Sequence, residues 1–304
     1  MRPRHGATLR GLRRQEELTA WLFVAPVALG ILIWQVYPVL YSLYVSFTAW
    51  NFVSAPRWTG LQNYTQLFAS DQFFSAALRN SAVYAVGTVV PTVVLGVLFA
   101  VILNSRIRGR AIYRTLYFLP NVTPIVSIAI VWAWMYDSNF GILNFLLKLI
   151  GIAGPRWLGS SDWAMTSLII MDVWHGLGFS IILLLAGLQS IGAEYYEAAT
   201  IDGADAFEQF WHVTLPLLSP MTFLVLILAL INAFQVFDSP YVLTQGGPAN
   251  ATLTLVLYLY NQGFADLHMG LASAVAYCLF VIILVLTGLS FYLQKLWVFY
   301  EEGQ

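Results

Sequence analysis

Charge is what this chain has least of. Only 10% of its 304 residues are charged, while 59% are hydrophobic; an ordinary soluble domain carries roughly 25% charged residues. A mean hydropathy of +0.73 excludes a soluble core wrapped in a polar shell. The net charge of −1 offers no basic surface for nucleic acid. A single cysteine, Cys278, excludes an intrachain disulfide, and its place in an apolar run suits a small buried residue. No G-x-x-x-x-G-K-[ST] phosphate loop occurs, so the chain cannot cradle ATP by that route. Long-period repeats and low-complexity tracts are also missing.

What is present is apolar sequence in bilayer-length runs. A helix crossing a hydrocarbon core of about 30 Å needs roughly 20 mostly apolar residues. Six segments qualify: within 18–50, 80–103 and 115–136, then 164–189, 215–237 and 269–293. Helices are the expected form, because they satisfy their own backbone groups in lipid. The first run follows basic residues as a secretory signal does. Its uncharged stretch reaches from 18 to 56, far beyond a signal's apolar region of about 7–15 residues, so it is read as retained.

Lys and Arg favour cytoplasmic loops. An inside N-terminus places Arg2, Arg4, Arg10, Arg13, Arg14, Arg106, Arg108, Arg110, Arg114 and Lys295 in the cytoplasm. Only Arg57, Arg79, Lys148 and Arg156 fall outside. Both termini are then cytoplasmic, and the loops near 51–79, 137–163 and 238–268 are external. The expected division is a basic cytoplasmic tail (1–17), a membrane domain (18–294, core about 80–294) and a second cytoplasmic tail (295–304).

Segment 194–220 breaks the apolar pattern. Glu194, Glu197, Asp202, Asp205 and Glu208 are five of the fifteen side-chain carboxylates in the chain. Good helix formers from Glu194 to Ala204 predict a short helix, Gly203 permits a turn, and 206–212 can add another turn or two. Phe207, Phe210 and Trp211 would supply an apolar face against the bundle, with the carboxylates outward. Pro216 and Pro220 sit one turn apart at the start of the fifth run, where proline is tolerated and would bend the chain into the membrane. An ordinary solvated amphipathic loop has the same composition. No Ser, Cys or His is paired with a base here, and His212 has no metal-ligand company; neither a catalytic nor a metal site is expected.

Glu197-Ala198-Ala199, Asp202-Gly203-Ala204, Leu215-Pro216 and Pro220 resemble the EAA loop of binding-protein-dependent ABC importer permeases. The likeness extends to Trp58-Thr59-Gly60-Leu61-Gln62-Asn63-Tyr64, to Arg114 through Leu119-Pro120 with Pro124, Trp132 and Gly141-x-Leu-Asn144, and to 185–191. Phe237-Asp238, 241–244, Gly246-Gly247-Pro248 and Thr252-x-Thr254 resemble the carbohydrate-uptake branch, of the maltose and glycerol-phosphate type. Gly192 departs from the pattern, since many relatives carry proline there.

The resemblance implies an all-α membrane protein of six transmembrane helices, the type I ABC importer permease bundle with a cytoplasmic coupling helix in loop 191–214. It implies a non-catalytic subunit of a bacterial or archaeal cell membrane, importing a sugar by alternating access. ATP and Mg would be bound by a separate cytoplasmic ATPase dimer, so no cofactor is expected in this chain. A second homologous permease subunit, an extracytoplasmic solute-binding protein and membrane lipid are the other implied partners. Glu194, Glu197, Ala198, Ala199, Asp202, Gly203, Ala204, Phe207, Phe210 and Pro216 would couple to the ATPase. Gly246, Gly247 and Pro248 would face the binding protein.

Polar side chains inside spans are costly and face the bundle interior or water. Asp172, Trp174 and His175 in the fourth run, and Asn232, Gln235 and Asp238 in the fifth, are candidates for the solute pathway, with Trp132 from the third. Hydrogen bonding between helices is the competing use of such residues. No Arg or Lys lies between the ends of the spans, which favours a neutral sugar over an anionic solute such as a sugar phosphate; a polyol or glycerol phosphate is the alternative cargo. A secondary transporter with Asp172 as an ion site, and a membrane scaffold, are the alternatives from other classes.

Overall fold

In a computed structural model, which describes residues 9–105 and 109–299, the chain is almost wholly helical. Helix α1 (Leu9–Ile31) runs through a π-helical turn (Leu32–Val36) into α2 (Tyr37–Ser46). A short antiparallel pair, β1 (Thr48–Ala49) with β2 (Arg57–Trp58), and α3 (Gln62–Ala69) follow. Next come α4 (Gln72–Asn104), α5 (Arg110–Val122), α6 (Ile125–Met135), α7 (Ile142–Leu149) and α8 (Ser161–Ser190). Helices α9 (Ala193–Ile201) and α10 (Ala206–Gln209) lead through a second π-helical turn (Phe210–Thr214) into α11 (Leu215–Phe234). Helices α12 (Asp238–Leu243), α13 (Leu255–Tyr260) and α14 (Met269–Leu293) complete the order. Arg2, Arg4, Arg106 and Arg108, and the outer parts of both expected tails, lie outside the described residues.

The helices are sorted by a rule inverted from that of soluble bundles. On α4, Val83, Val86, Val90, Val94 and Leu98 form an exposed stripe at helical spacing. The opposite face buries Ser81, Tyr84, Thr88, Thr92, Gly96 and Ala100. Small and hydroxyl-bearing residues thus go inside, where they find partners or allow close approach, and plain hydrocarbon goes outside. Helix α4 packs on α8 and α11, α5 lies along α8, and α2 lies along α14.

Among the described residues, five helical segments are long and apolar enough to cross a membrane: Thr19–Ser46, Gln72–Asn104, Ser161–Ser190, Ala206–Leu243 and Met269–Leu296. The expected third span is not one helix. Ile112–Val122 and Ile125–Met135 meet at a bend of 100°, and the count reaches six only if that pair is one crossing. The cause is local. Pro124 has no N–H to continue the ladder, and Thr123 before it is extended (ψ 135°), as pre-proline sterics demand. Pro216, expected to bend the chain, leaves the helical run 206–234 unbroken; the π-helical turn widens the backbone just before it.

The segments between spans are tied down by their polar residues. Asn63 donates to the Ser46 and Thr48 carbonyls at 2.8 and 3.0 Å. Asn80 donates to the Asn250 and Leu253 carbonyls, and Ser81 accepts from the Leu255 N–H. Tyr258 donates to the Asp71 carboxylate; burial first, then that carboxylate, pushes its phenol up, so it stays the donor. The end of the chain is likewise anchored: Phe299 N–H donates to Ser219 Oγ at 2.8 Å, and Trp297 meets Phe223 edge-on.

Gly178 sets the approach of α5 to α8, since a Cβ there would sit 2.1 Å from the Tyr117 carbonyl oxygen. Gly288 on α14 has nothing within 4 Å. Gly178→Ala is therefore expected to lose about 1–3 kcal/mol by overpacking, while Gly288→Ala does not destabilise. Thermal unfolding of both variants in one detergent checks this, and equal melting temperatures would refute it.

Candidate functional site

The interior polar residues converge on a cavity of about 480 Å³. Tyr84, Thr88 and Thr92 come from α4, Asn121 from the end of α5, and Asp172 and His175 from α8. Asn232, Gln235, Asp238 and Ser239 close it from α11 and the start of α12. Asp172 lies about 17 Å along α8 from its N-terminus, at 1.5 Å per residue. Its Oδ2 accepts from Tyr84 Oη at 2.7 Å and from Ser239 Oγ at 2.6 Å. One carboxylate so joins three helices, with the short charge-assisted bonds that suit a low-dielectric site. His175 hydrogen-bonds the Thr123 backbone, bracing the break between α5 and α6.

Five of the seven expected pathway residues, Asp172, His175, Asn232, Gln235 and Asp238, line this one cavity. Trp132 and Trp174 do not. They pack on each other with ring centroids 5.5 Å apart, beside Tyr136. The aromatic walls are instead Phe179 and Phe237, the latter stacked on Tyr241 at 5.0 Å. Asp172 is engaged between helices, while Asn232, Gln235 and Asp238 stay exposed. Tyr84, Thr88, Thr92, Asn121 and Ser239 are additions. The first three fall four residues apart on one face of α4, a periodicity visible in the sequence. Among the described residues no Arg or Lys lines the cavity.

The acidic island folds as two short helices around a left-handed glycine. Helix α9 ends at Ile201, Gly203 takes φ +86°, and Asp205 caps α10. Its Oδ1 accepts from Phe207 N and Glu208 N at 2.9 and 2.8 Å, and Glu208 Oε2 accepts from Asp205 N at 3.0 Å. This is a capping box, so Asp205 and Glu208 hold the loop's own shape. Gln209 donates to Thr200 Oγ1 and the Ala204 carbonyl, and Tyr196 hydrogen-bonds Thr214. Ala204 N–H donates to the Ala199 carbonyl at 2.9 Å.

The aromatics divide, against expectation. Phe210 packs with Leu185, Leu188 and Leu218, but Phe207 is 70% exposed and Trp211 half-exposed. Capping fixes this: with Asp205 as the cap, Phe207 falls on the outer face of α10. Glu197 and Asp202 are exposed, with no side-chain hydrogen bond among the described residues; Glu194 and Ala198 are also exposed, Ala199 and Pro216 half-buried. Ile201, 86% exposed, was not among the expected residues. It lies four after Glu197 on the same helix face, a spacing legible in the sequence. The outward surface is an apolar knob, Ile201 and Phe207, flanked by carboxylates.

The turn at Gly246-Gly247-Pro248 is more internal than a docking loop. Gly246 is buried, and a Cβ there would meet Leu253 and Leu257 at 3.3–3.4 Å. Thr252 donates to the Gly247 carbonyl at 2.8 Å and bonds Thr244 at 2.6 Å. The exposed positions are its neighbours Gln245, Ala249 and Asn250.

Residues 92–297 match the family described as "Binding-protein-dependent transport system inner membrane component". The chain is 35% identical over 278 residues to the trehalose/maltose transport system permease protein of Thermococcus litoralis, covering 91% of this chain and 93% of that one. It is 35% identical over 290 residues to the lactose transport system permease protein of Rhizobium radiobacter (93% and 96%). An arabinooligosaccharides transport system permease protein of Bacillus subtilis is 33% identical over 284 residues (92% and 90%). In fold it resembles a chain of a bacterial alginate ABC transporter solved with an alginate pentasaccharide-bound periplasmic protein, with TM-score 0.81, 22% identity, and coverage of 94% and 96%.

The Asp172 junction makes a prediction independent of any activity. Tyr84→Phe removes one donor to a buried carboxylate and is expected to lower stability by about 1.5–3 kcal/mol. Asp172→Asn keeps an acceptor oxygen for both hydroxyls and is expected to cost less than Asp172→Leu, which strands them. Melting temperatures of the three purified variants test the order; Leu better tolerated than Asn would refute it.

Proposed function

The chain belongs to the family of binding-protein-dependent transport system inner membrane components, and on that premise we propose how its parts divide the work of import. It is the permease subunit of a sugar ABC importer and a multi-pass protein of the cell membrane. We read loop 191–214 as the coupling element, on the cytoplasmic side with both termini. The positive charge of the sequence supports that side. An ATPase dimer on a separate polypeptide would bind ATP and Mg, since this sequence has no phosphate loop.

The observation that carries this reading is the joining of knob and cavity by one rod. Residues 206–234 are helical without a break, a π-helical turn included, and about 38 Å separates Phe207 from Asn232 at 1.5 Å per residue. A push on Phe207 therefore reaches Asn232 and the rod's end at Gln235 without a flexible joint, and Asp238 follows in α12 after the non-helical Val236 and Phe237. A second permease subunit would complete the cavity wall where these three stand exposed. The amides and hydroxyls can bond sugar hydroxyls, and Phe179 and Phe237 can meet C–H faces. Without a lining cation, the cavity fits an uncharged sugar better than a phosphorylated polyol.

Proteoliposomes holding this chain, its partner permease and the ATPase, supplied with the solute-binding protein, test the assignment by sugar uptake and sugar-stimulated ATP hydrolysis. Glu197→Arg and Ile201→Glu alter side chains without folding contacts, so uptake is expected to fall at least about tenfold, the equivalent of 1.4 kcal/mol, at normal insertion. Gly203→Val strains a left-handed residue and is expected to uncouple, whereas Gly203→Asn, tolerant of that conformation, retains uptake. Normal uptake by Glu197→Arg and Ile201→Glu would remove the loop from the coupling path; uptake on an ion gradient without the ATPase would overturn the importer reading.

A further inference from the structure

Outside the spans and the acidic loop, an extended exposed apolar surface lies on a lobe between α6 and α8. Phe140, Ile142, Phe145, Leu149, Ile150 and Ile152 all point outward, Phe140 79% and Leu149 68% exposed. This exposure is not looseness. Asn144 Nδ2 donates to the Ser138 and Pro155 carbonyls at 3.1 and 3.2 Å, and Asn144 Oδ1 accepts from Trp157 Nε1 at 2.7 Å. A Cβ on Gly154 would strike the Asn144 amide at 2.1 Å. Trp157 packs on Tyr136 and Trp163, each at 5.4 Å, and Tyr136 Oη donates to the Ser167 carbonyl. The lobe is therefore fixed to the ends of α6 and α8.

Two observations identify what covers it. The first is charge. Between Asp137 and Asp162 there is no carboxylate, and the only charged residues are Lys148 and Arg156. A surface both apolar and cationic complements the headgroup–acyl boundary of an anionic bilayer. The second is continuity. Val126, Ile130 and Trp134 are exposed along α6, and Trp163 opens at the start of α8. The hydrocarbon-facing surface of the spans thus runs into the lobe past two tryptophans, the residues that mark membrane interfaces.

We propose that α7 and the turn after it form a membrane-surface anchor, with the apolar face seated in the leaflet at that end of the bundle and Lys148 and Arg156 on anionic phospholipid headgroups. The anchor holds the joined ends of α6 and α8 at a fixed depth. This rests on membrane insertion alone, not on the coupling assignment.

The test uses the full chain with Cys278→Ser, in vesicles of phosphatidylethanolamine and phosphatidylglycerol, carrying a nitroxide on Phe145→Cys or, separately, Leu149→Cys. Val90→Cys, on the exposed apolar stripe of α4, and Asp202→Cys, at the tip of the acidic loop, supply the deep and aqueous references. Oxygen and nickel-complex accessibilities are expected to place both lobe labels about 5–10 Å below the phosphates. Phosphatidylcholine vesicles, or Lys148→Gln with Arg156→Gln, are expected to shift them toward water. Nickel accessibility like that of position 202 at both sites would overturn the anchor. So would protection that arises only when the solute-binding protein is added. An unchanged depth in phosphatidylcholine would overturn the role of Lys148 and Arg156.

Discussion

Everything in this molecule follows from one constraint: in hydrocarbon, a polar group must find its partner within the protein. Asp172 meets it by accepting from Tyr84 and Ser239 at once, which ties α4 and α8 to the first turn of α12. The bond therefore fixes where the fifth span ends and how the following loop starts. Asn80 and Ser81, a turn away on α4, hold the far side of that loop through Asn250, Leu253 and Leu255. The same polar stripe that would be lethal facing lipid becomes the framework for a cavity and for the loop above it.

The acidic loop obeys a different economy, because water can satisfy its surface. Its internal order comes from capping and backbone bonds: Asp205 with Glu208, Gln209 with Thr200, Ala204 with Ala199. These leave Glu197, Asp202, Ile201 and Phe207 with no structural duty. A rigid loop that keeps apolar side chains in water needs a second reason for them, and docking is the reason we propose. Phe210 packs against the bundle and Tyr196 bonds Thr214 at the entry to α11, so the proposed coupling force would enter α11 there.

Much of this was legible in the residues. Hydrocarbon runs located the spans, and a charge anomaly located the loop, because both are composition signals that tertiary structure rarely reverses. Gly203 was readable as a turn, and Asn232 with Gln235 as one face. The 100° break at Thr123–Pro124 was less visible, though Pro120 and Pro124 stood in plain sight: hydropathy averages over a window and sees no backbone direction. Trp132 and Trp174 pack on each other outside the cavity; an aromatic's residue type does not say which neighbour it packs on. Phe207 and Phe210 are three apart and chemically alike, yet one is outside and one inside. Only the register set by the Asp205 cap separates them.

The cavity is also informative for what its open side exposes. Asp172 is half-buried and spoken for, but Asp238, Asn232 and Gln235 remain solvent-facing in the single chain. Buried polar groups normally carry partners, and these would become buried once a second subunit closed the wall. They must then bond that subunit, water or the solute. A neutral polyhydroxyl ligand can satisfy amides and a carboxylate together, donating to Asp238 and accepting from Asn232 and Gln235. An anionic one would set its charge against Asp238 and Asp172 with no lining cation among the described residues, so its charge would have to be met elsewhere.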